Sequence, residues 1–123
     1  MAEQLRSPPE SRLGDEIYDA STPSPDLFFR AAALCRRDRA QWPAALERAL
    51  ESAAWVEAAL TFLDHALPGT AHMAGRLPDG TAHVRLMLRR GSKASPLDTF
   101  RADGDIALAL LEAIVRAAET RVH

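Results

Sequence analysis

The alternation of apolar and polar positions divides the chain into helical and extended stretches. Leu27, Phe28, Ala31, Leu34 and Cys35 recur at the spacing of one helix face. Ser24-Pro25-Asp26 precedes them, supplying a capping hydroxyl, a proline where no N–H is needed and an acid for the helix dipole. A helix reaching about Asp38 is expected. Positions 42, 46, 49, 53, 56, 60, 63 and 67 hold Trp, Leu, Ala, Ala, Val, Leu, Leu and Leu. This stripe predicts one long helix over 43–66, or two collinear ones with a break near Ser52-Ala53. Leu67-Pro68-Gly69 stops it.

The period then changes to two. Ala82, Val84, Leu86 and Leu88 alternate with His83, Arg85, Met87 and Arg89, while Ala71, Met73, Gly75 and Leu77 alternate with His72, Ala74 and Arg76. With Pro78-Asp79-Gly80 between the two runs, this is a β-hairpin. Keeping Met73 and Leu77 on the face of Val84 and Leu86 requires a four-residue loop from Leu77 to Gly80, pairing Arg76 with Thr81 and Ala71 with Leu86. A three-residue loop with a bulge would put His72 and Arg76 over the apolar face, so the first register is expected. Residues 91–96 read as a polar loop and Leu97–Arg101 as a short third strand, with Leu97, Thr99 and Arg101 opposite Asp98 and Phe100.

Asp103-Gly104-Asp105 caps a last helix whose apolar arc is too wide for one-sided burial. Ile106, Ala109, Leu110, Ala113, Ile114 and Ala117 form one stripe, and Leu108, Leu111, Val115, Ala118 and Val122 a second. Such a helix either lies centrally or offers a face to another subunit. The expected fold is α+β: two or three helices, a hairpin with a third short strand, and a long C-terminal helix on the sheet. Over the last ~55 residues this order, with Phe100-Arg101-Ala102-Asp103-Gly104-Asp105 before the helix, resembles the small phage-encoded ABA sandwich proteins in spacing. That resemblance implies no activity.

Charge changes the picture at the N-terminus. Residues 1–26 hold six acids against two arginines, so the other 97 residues carry +2 of a chain whose total is −2. The segment also contains four of the eight prolines and few large apolar side chains. Residues 1–23 are therefore expected to be a flexible acidic tail before a domain over 24–123. Within the tail, Ile17 and Tyr18 could anchor a short motif docking on a partner or on the protein's own basic surface. No apolar run approaches the ~20 residues of a membrane span. The N-terminus lacks a basic start and apolar stretch, and the single Cys35 excludes an internal disulfide, so a cytoplasmic setting is expected.

Candidate chemistry is sparse. No phosphate loop, dinucleotide fingerprint or nucleophile elbow occurs, and the four histidines (65, 72, 83 and 123) show no metal-ligand spacing. Asp103 and Asp105 are better read as helix caps than as cation ligands. Neither a catalytic group nor a cofactor or metal site is assigned. The remaining constellation is the hairpin's polar face, His72, Arg76, His83, Arg85 and Arg89, followed by Arg90 and Lys93. Strand arginines about 6.5 Å apart match successive phosphates or carboxylates. The expectation is a small non-catalytic binding or adaptor protein with a protein partner or a second copy of itself, the latter through Leu108, Leu111 and Val115 or the Trp42–Leu67 seam. The alternative is an Arg-face module for nucleic acid or another acidic surface, such as a phage or mobile-element accessory or inhibitor.

Overall fold

In the computed structural model, residues 9–122 are described, and they form an α+β fold. The order is α1 (Pro9–Asp19), α2 (Pro25–Leu34), a 3-10 turn (Arg39–Gln41), α3 (Ala44–Glu51), α4 (Trp55–Ala66), β1 (Ala71–Arg76), β2 (Ala82–Arg90), β3 (Lys93–Arg101) and α5 (Ile106–Val122). The strands make one antiparallel sheet in the order β1-β2-β3.

α5 is central. Asp105 caps it, its carboxylate accepting from Leu108 N–H at 2.9 Å. Leu108, Leu110, Leu111, Ile114 and Val115 are fully buried. The helix packs against β2 and β3 on one side and against α1, α2 and α4 on the others. Val84 and Leu86 supply the sheet's fully buried apolar layer, with Ala82 beside them. Thr99 Oγ1 donates to Ala109 O at 2.9 Å, tying the sheet to the helix. Phe28 and Phe62 meet edge to face at 6.2 Å in the helical layer.

Several expectations change. Part of the expected flexible tail, residues 9–19, is α1; Ile17 has no exposure and Leu13 is buried. Gly14 lies so close to α5 that a Cβ there would meet Arg116 Nη1 at 2.9 Å. The acids that suggested solvation are paired: Glu16 with Arg30 at 2.7 Å and Asp15 with Arg116 at 3.3 Å. The segment thus docks on the protein's own basic residues. Residues 1–8 lie outside the described residues, as does His123.

α2 ends at Leu34 rather than near Asp38, because Arg36 takes a left-handed φ of +58°. Of the two alternatives for residues 43–66, the structure has two helices, α3 and α4, separated at the expected break, where Ala53 also has φ +58°. The third strand begins at Lys93, four residues earlier than expected, because Gly91-Ser92 makes a two-residue turn with Gly91 at φ +63°.

The largest correction is the β1–β2 register. Arg76 pairs with Ala82 and Ala71 with Met87. The loop is the three-residue one, Pro78-Asp79-Gly80, with Gly80 N–H donating to Leu77 O and Leu77 N–H to Thr81 O, both at 2.8 Å. Gly80 sits at φ +92°, and Asp79 accepts from Thr81 N–H at 2.9 Å. This register puts His72, Ala74 and Arg76 on the helix side. It carries little burial penalty, because His72 and Arg76 stay exposed on β1. Turn chemistry decides where burial does not.

Candidate functional site: the uncovered sheet face

Among the described residues, no helix lies on the face of the sheet away from α5. Its rows follow from the ladder: Gly75, His83 and Phe100; then Met73, Arg85 and Asp98; then Ala71, Met87 and Pro96. Met73 is 53% exposed and Phe100 50%, and Leu77 at the hairpin tip is 40% exposed. These are large apolar side chains held on rigid strands and left in water.

A polar cluster is fixed between them. The His83 ring stacks on Phe100 with centroids 4.4 Å apart and planes 1° from parallel. Its Nε2 lies 2.7 Å from Asp98 Oδ1. Arg85 donates to both oxygens of the same carboxylate, at 2.9 and 3.2 Å. The Arg85 hydrogen bonds, followed by that of His83, hold the Asp98 carboxyl below its usual range. Gly75, next to His83 in its row, presents no side chain, so the His83–Phe100 stack faces outward.

The sequence-predicted polar face does not exist as one surface. His83, Arg85 and Arg89 lie on the uncovered face, whereas His72 and Arg76 point to the opposite side. Arg76 Nε donates to Gly104 O at 3.0 Å, and Arg85 is engaged by Asp98. Lys93 is exposed opposite Arg90, whose side chain lies outside the described residues. Asp98 and Phe100 were not singled out from the sequence beyond sharing a face opposite Leu97, Thr99 and Arg101; the ladder places that face outward. Of the tail motif, Ile17 is internal and Tyr18 is exposed. The proposed self-association stripe of Leu108, Leu111 and Val115 is wholly internal, covered by the sheet and the other helices. Within the Trp42–Leu67 seam, Trp42, Leu46, Ala49, Leu63 and Leu67 are also buried.

Two concavities lie on the helical side. Phe29 and Trp42 stack at 5.7 Å with the Arg39 guanidinium 4.6 Å from the Phe29 ring, beside a shallow groove bordered by Ala33 and Arg36. At the start of β1, a hollow of about 310 Å³ is lined by Arg37, Thr70, Met87 and Arg89 among others. Among the described residues no group of three or more His, Cys, Asp or Glu side chains could hold a metal ion, and no helix is long and apolar enough to cross a membrane. Comparison with protein-family models, curated proteins and solved structures finds no match to this chain.

Proposed function

We propose that this chain is a small non-catalytic binding protein that receives a protein partner on the uncovered face of its sheet. The observation that carries the reading is the exposure of Met73 and Phe100 around the fixed His83–Asp98–Arg85 cluster. An apolar pair flanking an oriented polar group is the composition of an interface centre, where aromatic residues, methionine and arginine are enriched. Rigid strands lose little entropy on binding, which favours the bound state. The split of the basic residues between two sides, with Arg85 neutralised by Asp98, supports an acidic surface or nucleic acid less well. The single cysteine makes a reducing, cytoplasmic setting part of the same proposal.

The test is site-specific cross-linking in cells. A photoreactive benzoylphenylalanine at position 100 captures a protein that the same group at exposed Tyr18 does not. That protein, once purified, binds the unaltered chain and loses at least tenfold in affinity with Phe100→Asp. Equal capture from both positions, or unchanged affinity in a folded Phe100→Asp variant, overturns the reading.

A further inference from the structure

The two edges of the sheet differ. On β3, the two-residue Gly91-Ser92 turn makes Arg90 and Lys93 a hydrogen-bonded pair, so alternation turns the backbone of residues 94, 96, 98 and 100 outward. One of these is Pro96, which has no N–H to give. The other end of that strand is occupied by the Arg101 side chain gripping the carbonyls that end α1. Both are devices that blunt an edge.

β1 has neither. Leu77 N–H donates to Thr81 O, so Gly75, Met73 and Ala71 are the residues bonded to β2. The N–H and C=O groups of His72, Ala74 and Arg76 therefore point away from the sheet. β1 has no proline, lysine or acid, and all its residues except the half-buried Gly75 are exposed. Small side chains at Ala71, Ala74 and Gly75 leave the approach unobstructed.

Charge states what kind of strand fits. On the helix side, the edge carries His72 and Arg76; at its start, Arg37 lines the adjoining hollow. Arg37 and Arg76 form no ion pair among the described residues. The acids near Arg76 are committed elsewhere, Asp103 to Arg101 and Asp105 to the α5 cap. On the other side the edge carries Ala71, Met73 and Gly75, continuous with the uncovered face. We infer that β1 is the docking edge for an extended segment of a partner protein whose residues alternate acidic and apolar, the acids on the His72–Arg76 side and the apolar residues beside Met73. A second copy of β1 fits less well, because its own sequence supplies no acid.

The inference rests on the proposed partner-binding role of the sheet and adds the mode of contact. It also answers a shortfall. Three strands of this length present a face of roughly 14 by 20–30 Å, on the order of 350 Å². A standard interface buries about 800 Å² on each partner. Strand addition supplies main-chain hydrogen bonds and extends the contact past the face.

The experiment uses the full chain and an acetylated, amidated octapeptide alternating glutamate and valine. The peptide is expected to bind at least tenfold tighter than its lysine–valine counterpart, and to slow hydrogen exchange at the amides of His72, Ala74 and Arg76. Two changes should each weaken binding at least tenfold: Ala74→Pro, which removes an outward donor without touching a β1–β2 bond, and N-methylation of alternate peptide amides, which leaves the protein unaltered. The inference is overturned by equal binding of the lysine peptide, by indifference to both changes, or by no binding at millimolar peptide. It is equally overturned by a dimer, seen by light scattering, that protects those amides without peptide. Loss of the cross-linked partner in Phe100→Asp with no response to the peptide means that the face is used and the edge is not.

Discussion

Arg101 Nη1 donates to the backbone carbonyl of Ile17 at 2.9 Å, joining positions 84 residues apart. The same guanidinium reaches Tyr18 O at 3.0 Å and Ala20 O at 2.6 Å, and Asp103 grips it through two oxygens at 2.8 and 3.2 Å. One buried side chain therefore satisfies the carbonyls left over at the end of α1, with a cation where the helix dipole favours it. Arg101→Met leaves the Tyr18 and Ala20 carbonyls without this donor and Ile17 O with only its bond from Ala20 N–H, and costs about 3 kcal/mol. Lysine does not rescue the loss, since one ammonium lacks the fork that serves three carbonyls and a carboxylate. Denaturant unfolding measures the loss, and hydrogen exchange over residues 13–20 should report early release of α1.

Leu111 is fully buried, so Leu111→Glu is a core substitution rather than a surface one. Placing a carboxylate there costs more than about 4 kcal/mol, combining lost apolar burial with an unpaired charge. The variant is expected to be unfolded by circular dichroism at 25 °C. A folded Leu111→Glu protein would mean that α5 has an open side.

Ala53 ends α3 in a left-handed conformation, φ +58°, with Ala54 N–H bonded to Ala49 O at 2.9 Å. Glycine removes the Cβ strain of about 1–2 kcal/mol but adds freedom to the unfolded chain worth about 0.4–1 kcal/mol. The net expectation for Ala53→Gly is a gain of about 0.5 kcal/mol, read as a melting temperature raised by about 2 °C. A lower melting temperature would contradict the strain.

Acid acts in two separate windows. Burial, reinforced by Arg37, pushes the His65 imidazole below its ordinary value. The unfolded chain then binds the proton first, so this contribution is complete above about pH 6.5 and is lost as pH falls below it. Asp98, depressed by Arg85 and His83, contributes above its unfolded value near pH 4 and is lost only on further acidification through its folded value. Denaturant midpoints between pH 7 and 5 should fall in the parent and stay flatter in His65→Gln. The same slope in both would assign the loss to another group.

What could be read from the sequence follows burial. α5 was legible because a helix apolar on nearly every side has to lie between other elements, and the hairpin was legible because Pro78-Asp79-Gly80 allows little else. The hairpin register was not, since it was inferred from burying one face of both strands, and every residue of β1 except Gly75 stays exposed. α1 was obscured by its prolines and acids, whose pairing with Arg30 and Arg116 no local pattern reveals. Alternation put Arg101 on one face with Leu97 and Thr99 without saying which face is inward, and no local pattern marks its partners more than 80 residues away. The outward pair Asp98 and Phe100 was visible as alternation, but the His83 stack depends on strand register.

The central place of α5 also sets an order of events during synthesis. α1 ends at Asp19 and α5 begins at Ile106, so the first helix is made long before the surface it packs on. At about 5–20 residues per second, on the order of 5–20 s passes between them. By the end of that interval Leu13 and Ile17, the inner layer of α4 and the inner face of β2 have all been made and still lack their common partner. A nascent chain at this stage offers three apolar surfaces at once, and the emergence of one seventeen-residue helix covers them all.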